Sequence, residues 1–157
     1  MVQVTAAPYR YIIDTSSMLS QKDNEPHRRK IFRSQWEKID ELVERQEIVT
    51  CSETALEVND EVVKTWLRDH QCVILQIDDE VQANVTRVVT QNPQLIDFRS
   101  CKSSGDAFLI AAAMKYGLTV ITEENKTSNK KIPFVCSQMG VPCMSILELC
   151  EHEGWVF

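Results

Sequence analysis

The chain has 157 residues, 43% of them hydrophobic, and this length and composition predict a single domain over residues 1–157 with a substantial core. Its 17 Lys and Arg against 23 Asp and Glu give a formal net charge of -6. This charge excludes a protein that coats nucleic acid or an anionic membrane by charge alone. Four scattered glycines exclude the Gly-rich cradles of dinucleotide-binding and P-loop proteins.

The predicted elements alternate between strands and helices along the chain. An apolar run at residues 9–13 predicts a buried strand that ends at Asp14, followed by a turn and by a polar segment, residues 21–30, that forms a loop or helix entry. Helices are predicted near residues 31–46, 53–58, 60–69, 78–91, 103–116, 134–139 and 146–151, and strands near 48–50, 72–77, 118–121 and 141–144. This alternation predicts an α/β fold, a three-layer α/β/α sandwich with a mainly parallel central sheet.

The sequence also predicts where the protein resides. No stretch approaches the roughly 20 apolar residues of a membrane-spanning helix, and no secretory signal precedes the six cysteines, so we expect a cytoplasmic protein that has reduced thiols and does not bind membranes. Cys136, Cys143 and Cys150, followed by His152, are spaced too widely for a compact zinc knuckle. We interpret the cysteines as small core residues.

Four acidic residues lie at strand ends or on helices near them. Asp14 ends the first strand, Glu124 follows the strand of residues 118–121, Asp106 opens a helix, and Glu57 lies on the helix after the second strand. Each alone has a local explanation as a turn, cap or solvated residue. Parallel strands would bring all four to one edge, where their repulsion calls for a cation such as Mg²⁺ or Mn²⁺. That arrangement suggests metal-assisted phosphodiester hydrolysis.

Four segments occur in a recognisable order: YIIDTSS, ETALEV with Glu57, GDAFLIAAAMKYG and TVITEEN. This pattern resembles the PIN-domain ribonucleases, the superfamily that includes the VapC-type toxins of toxin–antitoxin pairs. It is most similar to a prokaryotic PIN subfamily without an assigned function. The resemblance covers most of the chain and implies an endoribonuclease dependent on Mg²⁺ or Mn²⁺, with an antitoxin protein and a second copy of the chain as partners.

The resemblance also assigns roles by position. It implies that Asp14, Glu57, Asp106 and Glu124 are catalytic and that Asp14, Asp106 and Glu124 bind the metal. Family members commonly have Asp at the last place, so whether Glu123 or Glu124 is the fourth acid stays open. Supporting roles are implied for Ser16, whose hydroxyl would hydrogen-bond within the acidic site, for its neighbour Thr15 and for Glu123.

Two basic clusters are candidates for RNA binding. One follows Asp14 and the other follows Glu124. Either cluster could contact phosphates and position an RNA strand, or form an ordinary solvated surface. The candidate residues are Arg28, Arg29, Lys30, Lys126, Lys130 and Lys131.

Other functions compete with the ribonuclease hypothesis. A haloacid-dehalogenase-like phosphatase needs a second Asp where Ser16 stands. A receiver domain needs an acidic pair near the first strand and a phosphorylatable Asp after a middle strand, and the sequence shows neither clearly. The stronger alternative is a PIN-like protein-binding module with weak or no catalytic activity. Glu124, in place of the family's usual Asp, favours that alternative.

Overall fold

The computed structural model describes residues 7–97, 102, 103, 105–124, 126 and 131–157. Their strands are β1 (Tyr11–Ile13), β2 (Ile48–Cys51), β3 (Val73–Leu75), β4 (Ile96–Asp97), β5 (Lys102–Ser103), β6 (Thr119–Ile121) and β7 (Cys143–Met144). The helices are α1 (Thr15–Leu19), α2 (Arg33–Glu44), α3 (Ser52–Glu57), α4 (Glu61–Asp69), α5 (Asp79–Gln91), α6 (Gly105–Tyr116), α7 (Ile132–Met139) and α8 (Ile146–Glu153), with a 3-10 turn at Pro93–Leu95.

Five strands form the central sheet, in the order β3-β2-β1-β6-β7, and every pair in it is parallel. Ile13 of β1 is in register with Ile121 of β6, so the residues that follow these strands, Asp14 and Thr122, are neighbours. The Asp14 amide donates to the Ile121 carbonyl at 3.1 Å. The carboxyl ends of the strands therefore meet at one edge, as the predicted topology requires.

Helices cover both faces of the sheet. Ile12 and Val120 point into a core shared with α5, α6 and α7, whereas Tyr11 and Ile13 point into a second core with α2, α4 and α8. Neighbouring residues of β1 enter opposite cores because side chains alternate along a strand. The predicted three-layer α/β/α sandwich with a mainly parallel sheet is confirmed.

Several predicted bounds differ from the observed ones by about two residues, and three differences have a physical explanation. Residues 15–17, predicted as a turn, belong to α1, because the Asp14 carboxylate accepts from the Ser17 amide and caps a helix too short to show periodicity. Helix α2 begins at Arg33 rather than residue 31, and the apolar Ile31 side chain is 64% exposed. The antiparallel pair β4 and β5 was not predicted, since two-residue strands carry no pattern.

Two further predictions concern apolar segments and thiols. None of the helices in the described part of the chain is long and apolar enough to cross a membrane. Four of the cysteines (Cys51, Cys72, Cys136 and Cys150) are buried and Cys143 is partly buried, all with free thiols. Cys101 lies outside the described residues.

Candidate active site

Asp14 lies at the centre of the sheet edge, and its side chain is almost fully buried. The Ser16 hydroxyl lies 2.9 and 3.0 Å from its two oxygens, the Thr122 hydroxyl donates to Oδ2 at 2.8 Å, and the Ser17 amide donates to Oδ1 at 3.1 Å. Burial raises the pKa of Asp14 to about 6; these hydrogen bonds oppose the rise and the Glu124 charge adds to it. Asp14 is thus held in one orientation in a site of low polarity.

Asp106 lies in the first turn of α6, a helix whose next residues, among them Ala107, Leu109 and Ile110, are buried. This burial fixes the helix against the sheet and so fixes the position of Asp106. The pKa of Asp106 is raised to about 7, first by burial and then by the charges of Glu124, Asp14 and Glu57, in that order. Asp106 is therefore the residue that feels the charge of all three other candidate acids.

Glu57, the last residue of α3, reaches the beginning of α6. Its carboxylate accepts a hydrogen bond from the Gly105 backbone, and a Cβ atom at position 105 would overlap it. Desolvation raises the pKa of Glu57, although the Gly105 hydrogen bond opposes the rise. A glycine at this position therefore lets the carboxylate approach the helix N-terminus, whereas a larger residue would displace it.

The adjacent residues Glu123 and Glu124 have different surroundings. The Glu124 carboxylate accepts from the Ile132 amide at 3.3 Å, at the start of α7, and its charge acts on both Asp14 and Asp106. The Glu123 carboxylate instead accepts from the Ile146 amide at 2.7 Å, at the start of α8, and lies 3.6 Å from His27. Glu124 is thus the one of the pair whose charge reaches the two aspartates.

We call Asp14, Glu57, Asp106 and Glu124 the acidic cluster. The hydroxyls around it include one that sequence reasoning did not select, that of Thr122, which is buried and also accepts from the Glu124 amide at 3.1 Å. The sequence signal that could have identified Thr122 is its position directly after a buried strand, the same position that Asp14 has after β1. Ser16 accepts from the Glu123 amide at 3.0 Å, and Thr15 begins α1 beside Asp14.

The candidate RNA-binding residues fall into different environments. Lys131 lies just before α7, exposed, and its charge lowers the pKa of Asp106, so it adjoins the acidic cluster. Lys126 is exposed and paired with Glu148 at 2.8 Å. Lys130 lies outside the described residues.

The basic residues after Asp14 are not equivalent either. Arg29 donates to both oxygens of Asp40, at 2.7 and 2.9 Å, and its guanidinium stacks 5.5 Å from the Trp36 ring. Arg28 donates to a backbone carbonyl at 3.0 Å, and Lys30 is exposed, 3.9 Å from Asp23. Arg29 therefore has a structural partner in the second core, and its predicted RNA contact competes with that role.

The acidic cluster suits a hard divalent cation in its donor chemistry. Its members offer only carboxylate oxygens, the ligands that Mg²⁺ and Mn²⁺ prefer. Among the residues that the structure describes, no three His, Cys, Asp or Glu side chains are arranged to hold a metal ion as they stand. The repulsion within the cluster, seen in the raised pKa of Asp106, is the interaction that a cation would relieve.

Comparisons with known proteins bear on the fold. A family model described as "Domain of unknown function (DUF4411)" matches residues 11–157. None of the curated protein sequences matches the chain at a significant level. Similar solved structures include FitAB bound to an IR36 DNA fragment, which is 16% identical with a TM-score of 0.52 and coverage of 87% of this chain and 94% of that chain.

Two more solved structures are similar over most of both chains. FitAcB from Neisseria gonorrhoeae is 16% identical with a TM-score of 0.52, covering 87% of this chain and 98% of that chain. VapBC2 from Rickettsia felis, bound to a promoter DNA fragment, is 14% identical with a TM-score of 0.54, covering 86% of this chain and 97% of that chain. At these identities the likeness establishes the PIN-like α/β/α fold that the sequence pattern implies.

Proposed function

We propose that this chain, which belongs to the family described as "Domain of unknown function (DUF4411)", is a metal-dependent endoribonuclease and the toxin of a toxin–antitoxin pair. One observation carries the proposal: four carboxylates from separate segments converge so that Asp106 feels the charges of Asp14, Glu57 and Glu124. Carboxylates gathered in this way repel one another and destabilise a fold unless a partner such as a cation neutralises their charge. Strongly raised pKa values are common at catalytic sites.

In this proposal Asp14, Asp106 and Glu124 hold Mg²⁺ or Mn²⁺, and Glu57 completes the catalytic set. A bound ion supplies a coordinated water of lowered pKa and offsets the charge of the phosphate. Ser16 and Thr122 hold the Asp14 carboxylate in place through the hydrogen bonds described above. Attack of water on phosphorus would leave 5′-phosphate and 3′-hydroxyl ends.

The surroundings of the cluster support an RNA substrate. Lys131 adjoins Asp106, and the exposed Lys126 follows Glu124, so positive charge flanks the acids on the α7 side. Such groups position a phosphate backbone without reading its sequence. We include Arg28, Arg29, Lys30 and Lys130 in the proposed RNA-binding surface as predictions from the sequence.

The toxin role is supported by fold and not by sequence identity. The names FitAB and VapBC2 each denote a complex of two different proteins, and both complexes were solved with a DNA fragment. This chain shares their fold at 16% and 14% sequence identity. We therefore propose an antitoxin protein as partner and, as in the sequence prediction, a second copy of the chain. Co-purification of this chain with the product of an adjacent gene would test the pairing.

The activity is tested by incubating the pure protein with mixed cellular RNA and Mn²⁺ or Mg²⁺, beside the Asp14→Asn variant, and mapping the cleaved ends. We expect discrete cuts with 5′-phosphate ends, lost on chelation and reduced at least about 100-fold in the variant. If neither metal gives cuts that depend on Asp14, the ribonuclease proposal is wrong.

The adjacent glutamates provide a matched pair of variants. Glu124→Gln should lower cleavage about 100-fold, because the charge that acts on Asp14 and Asp106 is removed. Glu123→Gln should leave cleavage within about threefold, since that side chain faces α8 and His27. The opposite order of effects would identify Glu123 as the fourth acid.

The second candidate function is a PIN-like protein-binding module with weak or no catalysis. The observation that favours it is Glu124, which caps α7 where the family commonly has a shorter Asp. A binding module should bind its partner equally well with and without Mn²⁺ and with Asp14→Asn or Asp106→Asn. Metal-dependent cleavage that both substitutions abolish would contradict this candidate.

A further inference from the structure

A cavity of about 310 Å³ opens beside the acidic cluster, between α7, β7 and the segment that follows β6. Its lining includes Thr122, Pro133, Ser137, Cys143 and Met144. No residue of the acidic cluster lines it, and the function proposed above leaves it without a role. Its size is at the lower end of the range for ligand pockets, roughly 300–1,000 Å³, so it suits one small ring system.

Thr122 belongs both to the lining of the cavity and to the hydrogen-bond partners of Asp14. The hydroxyl of Thr122 donates to Asp14 at 2.8 Å, and the Thr122 amide donates to the Met144 carbonyl at 3.0 Å. Met144 at the carboxyl end of β7, in register with Ile121 of β6, also lines the cavity, so part of the lining lies at the sheet edge that carries the acids.

The lining has the chemistry that a nucleobase requires. Pro133, Val141 and Met144 supply apolar surface for the faces of a ring, and the exposed Ser137 supplies a hydroxyl for its edge. Lys126 lies at the cavity as well and is 67% exposed. Its ion pair with Glu148 is a surface contact of little strength, so a phosphate can replace the carboxylate.

We propose that this cavity binds one unpaired nucleobase of the RNA strand that is cleaved, with Lys126 contacting the adjoining phosphate. The inference rests on the proposed ribonuclease function and adds a specificity subsite to it. RNA is read mainly where bases are unstacked and exposed, and a pocket for a single base is one way to select such a site. The consequence is that a base-paired nucleotide at this position would block cleavage.

Binding can be tested without any cleavage, by methyl NMR on the full chain labelled at its five methionines. The probes are the four nucleoside 5′-monophosphates, with ribose 5-phosphate as the probe that lacks a base. We expect at least one nucleotide to shift the Met144 methyl signal in a saturable way, while ribose 5-phosphate leaves it unchanged. The absence of any nucleotide-dependent shift, or an equal shift with ribose 5-phosphate, would overturn the proposal.

Substitutions on α7 provide the control. Ser137→Phe places a ring in the cavity, whereas Gln138→Phe adds the same ring at an exposed neighbour that does not line it. Ser137→Phe should weaken the nucleotide affinity about tenfold, and Gln138→Phe should not change it. If the other methionine signals show that Ser137→Phe unfolds the chain, the smaller substitution Ser137→Leu is used in its place. Unchanged affinity in the filled variant would also refute the site.

Cleavage of a short single-stranded RNA then separates this inference from the function on which it rests. An abasic nucleotide at one position beside the cut should lower kcat/KM about tenfold in the wild type and cause little further loss in Ser137→Phe. Equal losses at every position, or in both proteins, would overturn the subsite while leaving the ribonuclease intact. Absence of all cleavage would count against the ribonuclease, and the NMR titration would still decide whether the cavity binds a base.

Discussion

At Asp14, burial and hydrogen bonding act in opposite directions. Removing the carboxylate from water favours its neutral form, whereas the Ser16 and Thr122 hydroxyls and the Ser17 amide favour the charged form. Burial is the larger effect, and the resulting pKa of about 6 means that the group gains a proton more readily in the folded protein than in the unfolded chain. At Asp106, burial and the charges of three acidic neighbours act in the same direction and raise the pKa to about 7, against the opposing charge of Lys131.

The first prediction follows from the raised pKa of Asp14. The carboxyl is protonated and favours the folded state below about pH 4, and this contribution is lost as the pH rises through about 6. Asp14→Asn cannot titrate, so its free energy of unfolding relative to wild type should increase by roughly 3 kcal/mol between about pH 4 and 8. Urea unfolding in the presence of a chelator measures this difference. A difference that does not vary with pH would show that the Asp14 pKa is not raised.

The second prediction concerns Gly105. An alanine there suits a helix but places its Cβ on the Glu57 carboxylate, which must swing away from Asp106. Gly105→Ala should therefore keep its stability within about 1 kcal/mol while Mn²⁺ affinity, measured by calorimetry, falls about tenfold. In a Glu57→Gln background the same substitution should have little further effect. Additive losses would indicate that Gly105 acts independently of Glu57.

At the scale of elements, a partly buried ion pair joins the segment after α1 to α2 and α4. Asp40 on α2 accepts from both terminal nitrogens of Arg29 and from the Trp66 indole of α4 at 2.7 Å. The Trp36 ring, stacked on Arg29, meets the Trp66 ring edge-on with centroids 6.2 Å apart. These contacts hold the helices of the second core in one arrangement, since each polar group there has a specific partner.

The third prediction tests the structural role of Arg29. Arg29→Met removes the partner of an almost buried carboxylate and should lower the free energy of unfolding by roughly 3 kcal/mol, measured in urea. Lys30→Met, at an exposed neighbour 3.9 Å from Asp23, should change it by less than about 0.5 kcal/mol. Equal stability of the two variants, together with weaker RNA binding in Arg29→Met, would favour the RNA-contact role.

At the scale of the whole molecule, a net charge of -6 has to be reconciled with an RNA substrate. Part of that charge is the acidic cluster itself, which a cation would neutralise, and basic residues such as Lys131 flank it. Positive and negative charges are separated along helix α6. The helix begins with Asp106 at the acidic edge of the sheet, and Lys115 lies about 14 Å further along its axis. RNA affinity should therefore depend on where a positive charge lies and not only on the total.

The fourth prediction uses that difference in position. In an Asp14→Asn background, Lys131→Ala should weaken RNA binding and lower the slope of log affinity against log salt by about 0.7, the value for one phosphate contact on a single strand. Lys115→Ala removes the same charge at the far end of α6, where Lys115 is paired with Asp78, and should leave the slope unchanged. Fluorescence anisotropy over a salt series measures both slopes. Identical slopes in the two variants would place the phosphate contact elsewhere.

Much of the architecture could be predicted because its signals are local. Apolar runs that stop abruptly marked β1 and β6, and helical periodicity marked α2 and α5, so the order of elements and the parallel sheet followed. Short elements were missed where only a cap or a pairing partner defines them. Helix α1 depends on the Asp14 cap, and the strands β4 and β5 depend on each other.

What the sequence by itself determined is which acids stand at the ends of strands, because a buried strand must stop where the chain becomes polar. Only the tertiary structure decided which of Glu123 and Glu124 approaches Asp14, since the amides that begin α7 and α8 each take one carboxylate. It also paired Arg29 with Asp40 and opened the cavity beside Thr122. These contacts join residues of different elements, and packing between the elements, not local pattern, sets their geometry.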